Sequence, residues 1–312
     1  MEYAMNELLS VSNLTKRFGS LLALDDISFT LCKGETLGIA GESGSGKTTL
    51  GRTLLRLIEP DSGSIIFSGV DICKCSDAEM RKLKSRLQII FQNPYSSLDP
   101  SEKVGEAVRG PLANAKLLSK KEQRSKVLDA LSLVGLPSSA VSRCIGEFSG
   151  GQRQRIAIAR AMITSPDLIV ADECLSSLDV SVRAGILNLL SSLQKDLGVS
   201  YLFISHDLSS LRFISQRIGV MYKGMIVEIA PVSEIFLHPL HPYTKELLSS
   251  ELKAGEKGIS SILQLGEGRI AQLSFHPCPY AHRCPSSGSC ERRKPVLAEA
   301  SHHHFVACNK FG

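Results

Sequence analysis

Gly41-Glu42-Ser43-Gly44-Ser45-Gly46-Lys47-Thr48 brings three glycines, three hydroxyls and a lysine into eight consecutive positions. That spacing is the P-loop pattern and suits phosphate chemistry. Glycines let successive backbone N–H groups turn inward around phosphate oxygens, the lysine adds a point charge, and the threonine hydroxyl is a hard ligand for Mg²⁺. Gly41, Glu42, Ser43, Gly44, Ser45, Gly46, Lys47, Thr48 and the adjoining Thr49 are the candidate ATP-binding residues. A second acidic element closes the apolar run 168–171 with Asp172-Glu173. At the C-terminal edge of a sheet, Asp172 is placed to hold Mg²⁺ through water and Glu173 to polarise an attacking water as general base.

The elements needed to position these groups are legible around them. Residues 36–40 read as a buried strand, the glycines as a loop, and 48–58, with leucines at 50, 54, 55 and 57, as a helix. Upstream, 8–11 and 27–31 read as paired strands of a small antiparallel edge sheet, with a charged turn at Lys16-Arg17. From about 93 to 146, prolines frame amphipathic runs such as 120–134, which indicates a helical insertion. The rhythm then resumes as helix 151–163, strand 168–171, helix 182–197, strand 201–204 and helix 208–214. Strands separated by helix-length segments imply a largely parallel sheet covered on both faces. Beyond Pro231 come His-Pro pairs, a helix over 244–252, a glycine-rich linker and a cysteine cluster, a pattern of a separate small module. The expected fold is α/β: a P-loop nucleotide-binding domain with an antiparallel edge sheet, a helical subdomain and a small Cys-rich C-terminal module.

Composition narrows the class. With 43% hydrophobic and 21% charged residues over 312 positions, the chain has globular composition. Its apolar runs are strand-length, far short of the roughly 20 residues that span a bilayer, and Met1-Glu2-Tyr3-Ala4-Met5-Asn6 has neither the basic cluster nor the apolar stretch of a signal peptide. A cytoplasmic address is expected, where nine cysteines do not read as a disulfide framework. A net charge of +5 with interspersed acids gives no basis for nucleic-acid binding.

Glu147-Phe148-Ser149-Gly150-Gly151-Gln152-Arg153-Gln154-Arg155 resembles the signature sequence of ATP-binding cassette proteins, and it lies between the P-loop and the acidic strand as that family requires. The resemblance implies that Ser149, Gly150, Gly151 and Gln152 face the ATP held by a partner, so the active unit is a dimer. It also implies that Phe18 stacks on adenine, that Gln92 reaches Mg²⁺ and the attacking water, that Asp179 lies in the loop crossing the dimer contact, and that His206 contacts the γ-phosphate and holds Glu173 and water in register. The stretches 91–100, 151–161 and 239–244 are similar to the oligopeptide, dipeptide and nickel importer branch, specifically its second, F-type ATPase. Implied with it are a cassette domain over 6–235, with a helical subdomain over about 93–160, and an importer extension over 236–312. The implied assembly is a second cassette ATPase, forming a heterodimer, two transmembrane permease subunits and an extracytoplasmic solute-binding protein, with this chain peripheral at the cytoplasmic face of the inner membrane. Its expected task is ATP hydrolysis that energises import of di- or oligopeptides. Nickel or another small solute, and a cassette ATPase that moves no solute, are the alternatives. Two departures stand out: Cys174-Leu175 where the family commonly has Pro-Thr, and Cys144-Ile145-Gly146 where Tyr-Pro-His is common.

Cys278, Cys284, Cys290 and Cys308 are separated by five, five and seventeen residues. Several peptide-importer ATPases resemble this tail, with a four-cysteine motif linked to a [4Fe–4S] cluster. Four thiolates suit a cluster or a zinc ion; the spacing lacks short Cys-x-x-Cys knuckles, and four unligated thiols are the remaining alternative. His302-His303-His304 reads as a solvated polar run, with metal binding as the alternative.

Overall fold

The N-terminal strands β1 (Glu7–Phe18) and β2 (Leu21–Cys32) pair antiparallel along nearly their whole length, with Phe18 opposite Leu21. The computed structural model describes residues 7–93, 97–112, 118–255, 277–290 and 293–311; the N-terminal reading at 1–6, the Pro94–Ser96 part of the family resemblance and the glycine-rich linker lie outside them. The reversal falls at Gly19 and Ser20 rather than at the expected Lys16-Arg17, because Asp61 holds both of those residues in the strand: it accepts from Lys16 Nζ at 3.0 Å and from Arg17 N at 2.6 Å.

Next in the chain come β3 (Thr36–Ala40), α1 (Lys47–Leu54), β4 (Ser62–Phe67), β5 (Val70–Asp71), α2 (Asp77–Leu83) and β6 (Leu87–Ile90). Strands β2, β1, β4 and β5 form the antiparallel edge sheet in that order. Helix α1 stops four residues short of the expected 58, since Arg56 takes φ +50°, a left-handed conformation that a helix cannot continue. The helical subdomain contains α3 (Val104–Arg109), α4 (Lys120–Leu133) and α5 (Gly150–Met162). Helix α4 begins where the pattern predicts because Ser119 and Glu122 form a reciprocal capping box.

After it follow β7 (Leu168–Asp172), α6 (Val180–Leu197), β8 (Ser200–Ile204), α7 (Leu208–Ile214), β9 (Arg217–Tyr222), β10 (Met225–Pro231), α8 (Val232–Leu237), α9 (Pro242–Gly255), β11 (Ala298–Ser301) and β12 (His304–Val306). The main sheet runs β11-β12-β10-β9-β3-β8-β7-β6, with β6, β7, β8, β3 and β9 mutually parallel. Successive residues of these strands enter opposite cores. Tyr201 and Phe203 join the core shared with the helical subdomain, while Leu202 and Ile204 join the core shared with the edge sheet. Burial on both faces is why these strands read as unbroken apolar runs.

Strands β9 and β10, which the sequence reading leaves out, form a hairpin whose turn residues Lys223 and Gly224 take φ +43° and +84°. The tail that composition sets apart is joined to this same sheet in space, since β12 pairs with β10 and β11 with β12. A fully buried Glu228 carboxylate fastens it: Leu240 N, His241 N and the buried His304 Nε2 contact its oxygens at 2.8, 2.9 and 2.6 Å. No helix is long and apolar enough to cross a membrane among the described residues.

Candidate nucleotide site

The C-terminal edge of the parallel strands gathers the expected residues. β3 delivers the glycine loop, β6 ends just before Gln92, β7 ends in Asp172-Glu173, and β8 ends just before His206. Gly46 takes φ +104° and packs so tightly that a Cβ there would lie 2.4 Å from the Ala23 carbonyl oxygen, so only glycine fits. Lys47, 4% exposed, donates from Nζ to the carbonyl oxygens of Gly41 and Glu42, both at 2.8 Å. The Thr48 hydroxyl donates to Asp172 Oδ1 at 3.0 Å.

Three groups converge on Glu173. Gln92 Nε2 donates to Oε2 at 3.0 Å, His206 Nδ1 lies 3.6 Å from Oε2, and Lys47 Nζ lies 3.8 Å from Oε1. Glu173 itself takes φ +45°, a left-handed conformation rare for a residue with a side chain, and its N–H is held by the Ile204 carbonyl at 2.9 Å. The turn thus aims the carboxylate back across the sheet edge instead of along the strand.

Loss of water drives the electrostatics. Burial pulls the Lys47 ammonium below the usual lysine range, against the raising influence of Glu173, Asp172 and Glu42. Burial also pushes the Asp172 carboxyl above the usual carboxylate range, opposed by the Thr48 hydrogen bond. Each penalty eases when its charge meets the opposite one, phosphate oxygens for Lys47 and a divalent cation for Asp172. The Ser45 hydroxyl, buried in the loop without a hydrogen-bond partner, is a further group suited to a phosphate oxygen. Oxygen donors from Thr48, Asp172 and Gln92 match the hard-ligand preference of Mg²⁺.

The remaining expected residues stand elsewhere. Phe18 ends β1 with 47% of its surface exposed, which excludes a core role. Ser149 caps α5, accepting from Gln152 N at 3.4 Å while Gln152 Oε1 accepts from Ser149 N at 3.0 Å. Both side chains are exposed, and the cap leaves the Ser149 hydroxyl proton free to donate outward. Gly151 is where α5 meets α6, with a Cβ placed 2.5 Å from Val182 Cγ1. Asp179 is the N-cap residue of α6 without a side-chain capping bond. Among the described residues no hydrogen bond or ion pair joins Phe18, Ser149–Gln152 or Asp179 to the group around Glu173.

The four tail cysteines are half-buried. Burial raises the Cys278 and Cys308 thiols; Cys284 and Cys290 act on both, and Cys308 also acts on Cys278. The side chains of Glu299, His302 and His303 present ligand atoms within 4.8 Å of one another, whereas His304 departs from the expected solvated run because it is buried against Glu228.

Two residues touching the phosphate loop escape the sequence reading: Tyr243, whose hydroxyl accepts the Glu42 N–H at 2.9 Å, and Arg283, whose Nη1 lies 3.2 and 3.3 Å from the Glu42 carboxylate oxygens. The available signals were Tyr243 inside the Pro239–Thr244 stretch, used only for resemblance, and an arginine directly before Cys284.

Known proteins resemble this chain over most of its length. Residues 24–176 match the family model "ABC transporter", and 227–290 match "Oligopeptide/dipeptide transporter, C-terminal region". The chain is 43% identical over 301 residues to the oligopeptide transport ATP-binding protein AppF of Bacillus subtilis, covering 95% of this chain and 92% of that one. It is 47% identical over 250 residues to OppF of the same organism, covering 78% and 82%. Among solved structures it is similar to the ATP-binding cassette MJ0796, solved as a dimer in a post-hydrolysis state bound to ADP and Pi, with TM-score 0.65, 28% identity and coverage of 72% and 99%. CbiO1 of Clostridium perfringens, part of the transporter complex cbiONQ, aligns with TM-score 0.69, 29% identity and coverage of 75% and 92%.

Proposed function

This chain belongs to the ATP-binding cassette ATPases that carry the oligopeptide/dipeptide transporter C-terminal region, and from that premise we propose that its ATP hydrolysis energises import of peptides through a membrane permease. The relatives' names as oligopeptide transport proteins support the cargo class. In this reading the chain sits at the cytoplasmic face of the membrane and pairs with a second cassette ATPase beneath two permease subunits, to which a binding protein delivers substrate. A groove of about 540 Å³, lined in part by Gln88, Phe91, Glu102 and Arg160, lies beside Gln92 and offers the permease a surface that moves with the site.

Phosphates seat against the backbone N–H groups that line the loop, where Lys47, held in place by the carbonyls of Gly41 and Glu42, meets them with its charge. Thr48 and Asp172 hold Mg²⁺, which when bound neutralises charge developing on the phosphate oxygens. Glu173 takes the proton from water, and Gln92 and His206 hold that carboxylate and its water in line. The cap Ser149-Gly150-Gly151-Gln152, exposed at Ser149 and Gln152, completes the site of the partner, Phe18 receives adenine on its exposed face, and Asp179 lines the contact between the two cassettes. The four half-buried tail thiols are a soft donor set that would hold an iron–sulfur cluster, with zinc as the alternative.

The observation that carries the proposal is the convergence of Gln92, His206 and Lys47 on Glu173. It is tested in the assembled transporter with Glu173→Gln, which is expected to bind ATP and to lose hydrolysis by at least about 10²-fold. Hydrolysis at the wild-type rate would remove Glu173 from the base role.

A further inference from the structure

Glu42 is held at all three of its polar groups. Its N–H donates to the Tyr243 hydroxyl at 2.9 Å, its carboxylate meets Arg283 Nη1 at 3.2 and 3.3 Å, and its carbonyl accepts from Lys47 Nζ at 2.8 Å. Two of these three partners come from the C-terminal extension. The third is the lysine of the phosphate loop.

We infer that Arg283 and Tyr243 are positioning residues for Lys47, acting through Glu42, so that the segment between Cys278 and Cys284 sets the shape of the ATP-binding loop.

The holding group is itself rigid. Tyr243 is fully buried, and its ring packs against Tyr222 and Tyr280 with centroids 4.6 and 5.7 Å away. Tyr222 ends β9 beside the turn at Gly224, whose N–H donates to the Ser45 carbonyl at 2.9 Å, so the aromatic cluster and the hairpin brace the same loop. Arg283 spans two carboxylates, with Nη1 on Glu42 and Nη2 on Glu246 of α9, and the Tyr280 hydroxyl donates to the second Glu246 oxygen at 2.5 Å. A planar guanidinium can bridge in this way, whereas an ammonium is a single point of charge. Tight turns bind the arginine to the cysteines: Arg283 N and Cys284 N both donate to the Tyr280 carbonyl at 3.0 Å, and Ala281 N donates to the Cys278 carbonyl at 3.1 Å. Movement of that loop therefore reaches Glu42, and through its carbonyl the resting position of Lys47.

The inference rests on the reading of Lys47 as the phosphate-binding lysine, and it does not depend on what the thiols hold. Its test is the affinity of the purified chain for a non-hydrolysable ATP analogue, measured for Arg283→Ala, Arg283→Lys, Tyr243→Phe, Glu42→Ala and the Arg283→Ala/Glu42→Ala pair. The ion pair is partly exposed, so each alanine variant is expected to bind about two- to five-fold more weakly. The double variant should be no weaker than Glu42→Ala alone, because Arg283 works through Glu42. The lysine variant should fall between wild type and alanine. A purely structural role for Arg283 would give the same loss with or without Glu42, and either that result or unchanged affinity in Arg283→Ala overturns the inference. If Arg283→Ala does not fold, Arg283→Lys with and without Glu42 decides the matter by the same comparison. Lys47→Ala separates the two readings: if it binds the analogue as tightly as wild type, the phosphate-site assignment fails, and if it binds weakly while Arg283 variants do not, only the clamp fails.

Discussion

Gln92 and Glu173, 81 positions apart in the chain, meet where β6 and β7 end side by side, with the Gln92 amide donating to Glu173 Oε2 at 3.0 Å. The bond orients a carboxylate that the backbone alone would leave to swing. Gln92→Ala should therefore lower the hydrolysis rate by about tenfold, a part of the 10²–10⁴ that a positioned general base supplies. ATP binding should stay within a factor of two, roughly. Steady-state rates beside nucleotide titrations check this, and a loss confined to binding would mean that Gln92 serves the nucleotide instead of the base.

Gly151 tests the packing behind the signature segment. A Cβ there would stand 2.5 Å from Val182 Cγ1, so Gly151→Ala must push α5 away from α6. Overpacking of this kind costs about 1–3 kcal/mol, and it should lower both the unfolding midpoint and the ATPase rate of the assembled pair of cassettes. Adding Val182→Ala removes the clashing methyl and should restore much of both. Failure of that second change to restore either quantity would show that the glycine is needed for contact with the partner's nucleotide rather than for room beside Val182.

Acid sensitivity has a named source. Burial pushes His241 down from its usual 6.5 to about 4, and its Nδ1 accepts the Tyr243 N–H at 3.1 Å, a bond that requires the unprotonated nitrogen. Below pH 6.5 the unfolded chain takes up a proton that the folded chain refuses until about pH 4. Stability therefore falls as pH drops through that window and is independent of this ring above it, with a full effect of roughly 3 kcal/mol. Denaturant unfolding at pH 7 and pH 5 should show a smaller loss in His241→Asn than in wild type. Equal losses would place the sensitivity in another group.

Much of the site is legible in the chain because its chemistry is local. The phosphate loop is eight consecutive residues, and Asp172 and Glu173 follow a strand whose burial on both faces leaves an unbroken apolar run. Strands β9 and β10 are equally apolar, but the short turn at Lys223-Gly224 separates them by too little for the strand–helix rhythm to mark them, and they are left unassigned between 214 and 231. The hold on Glu42 is not local at all. Tyr243 and Arg283 reach it across 201 and 241 positions, and nothing near either residue encodes that meeting. The tail's place in the sheet is hidden likewise, since the pairing of β12 with β10 depends on a buried Glu228–His304 contact spanning 76 positions.

Cys174, which stands where the family commonly has proline, is buried at 1% exposure, and burial pushes its thiol up to about 12. It should resist iodoacetamide at pH 8 in the folded protein and react once the chain is unfolded, because the thiolate is the reactive form. Peptide mass mapping after alkylation checks this. Rapid labelling of the native chain would mean that the turn after Glu173 opens readily.

We propose that hydrolysis at Glu173 drives peptide import. Uptake of labelled di- and oligopeptides, in cells carrying either this chain or its Glu173→Gln variant beside the permease and binding protein, tests it most directly. Uptake is expected with the wild-type chain and its loss with the variant. Equal peptide uptake in the two would contradict it.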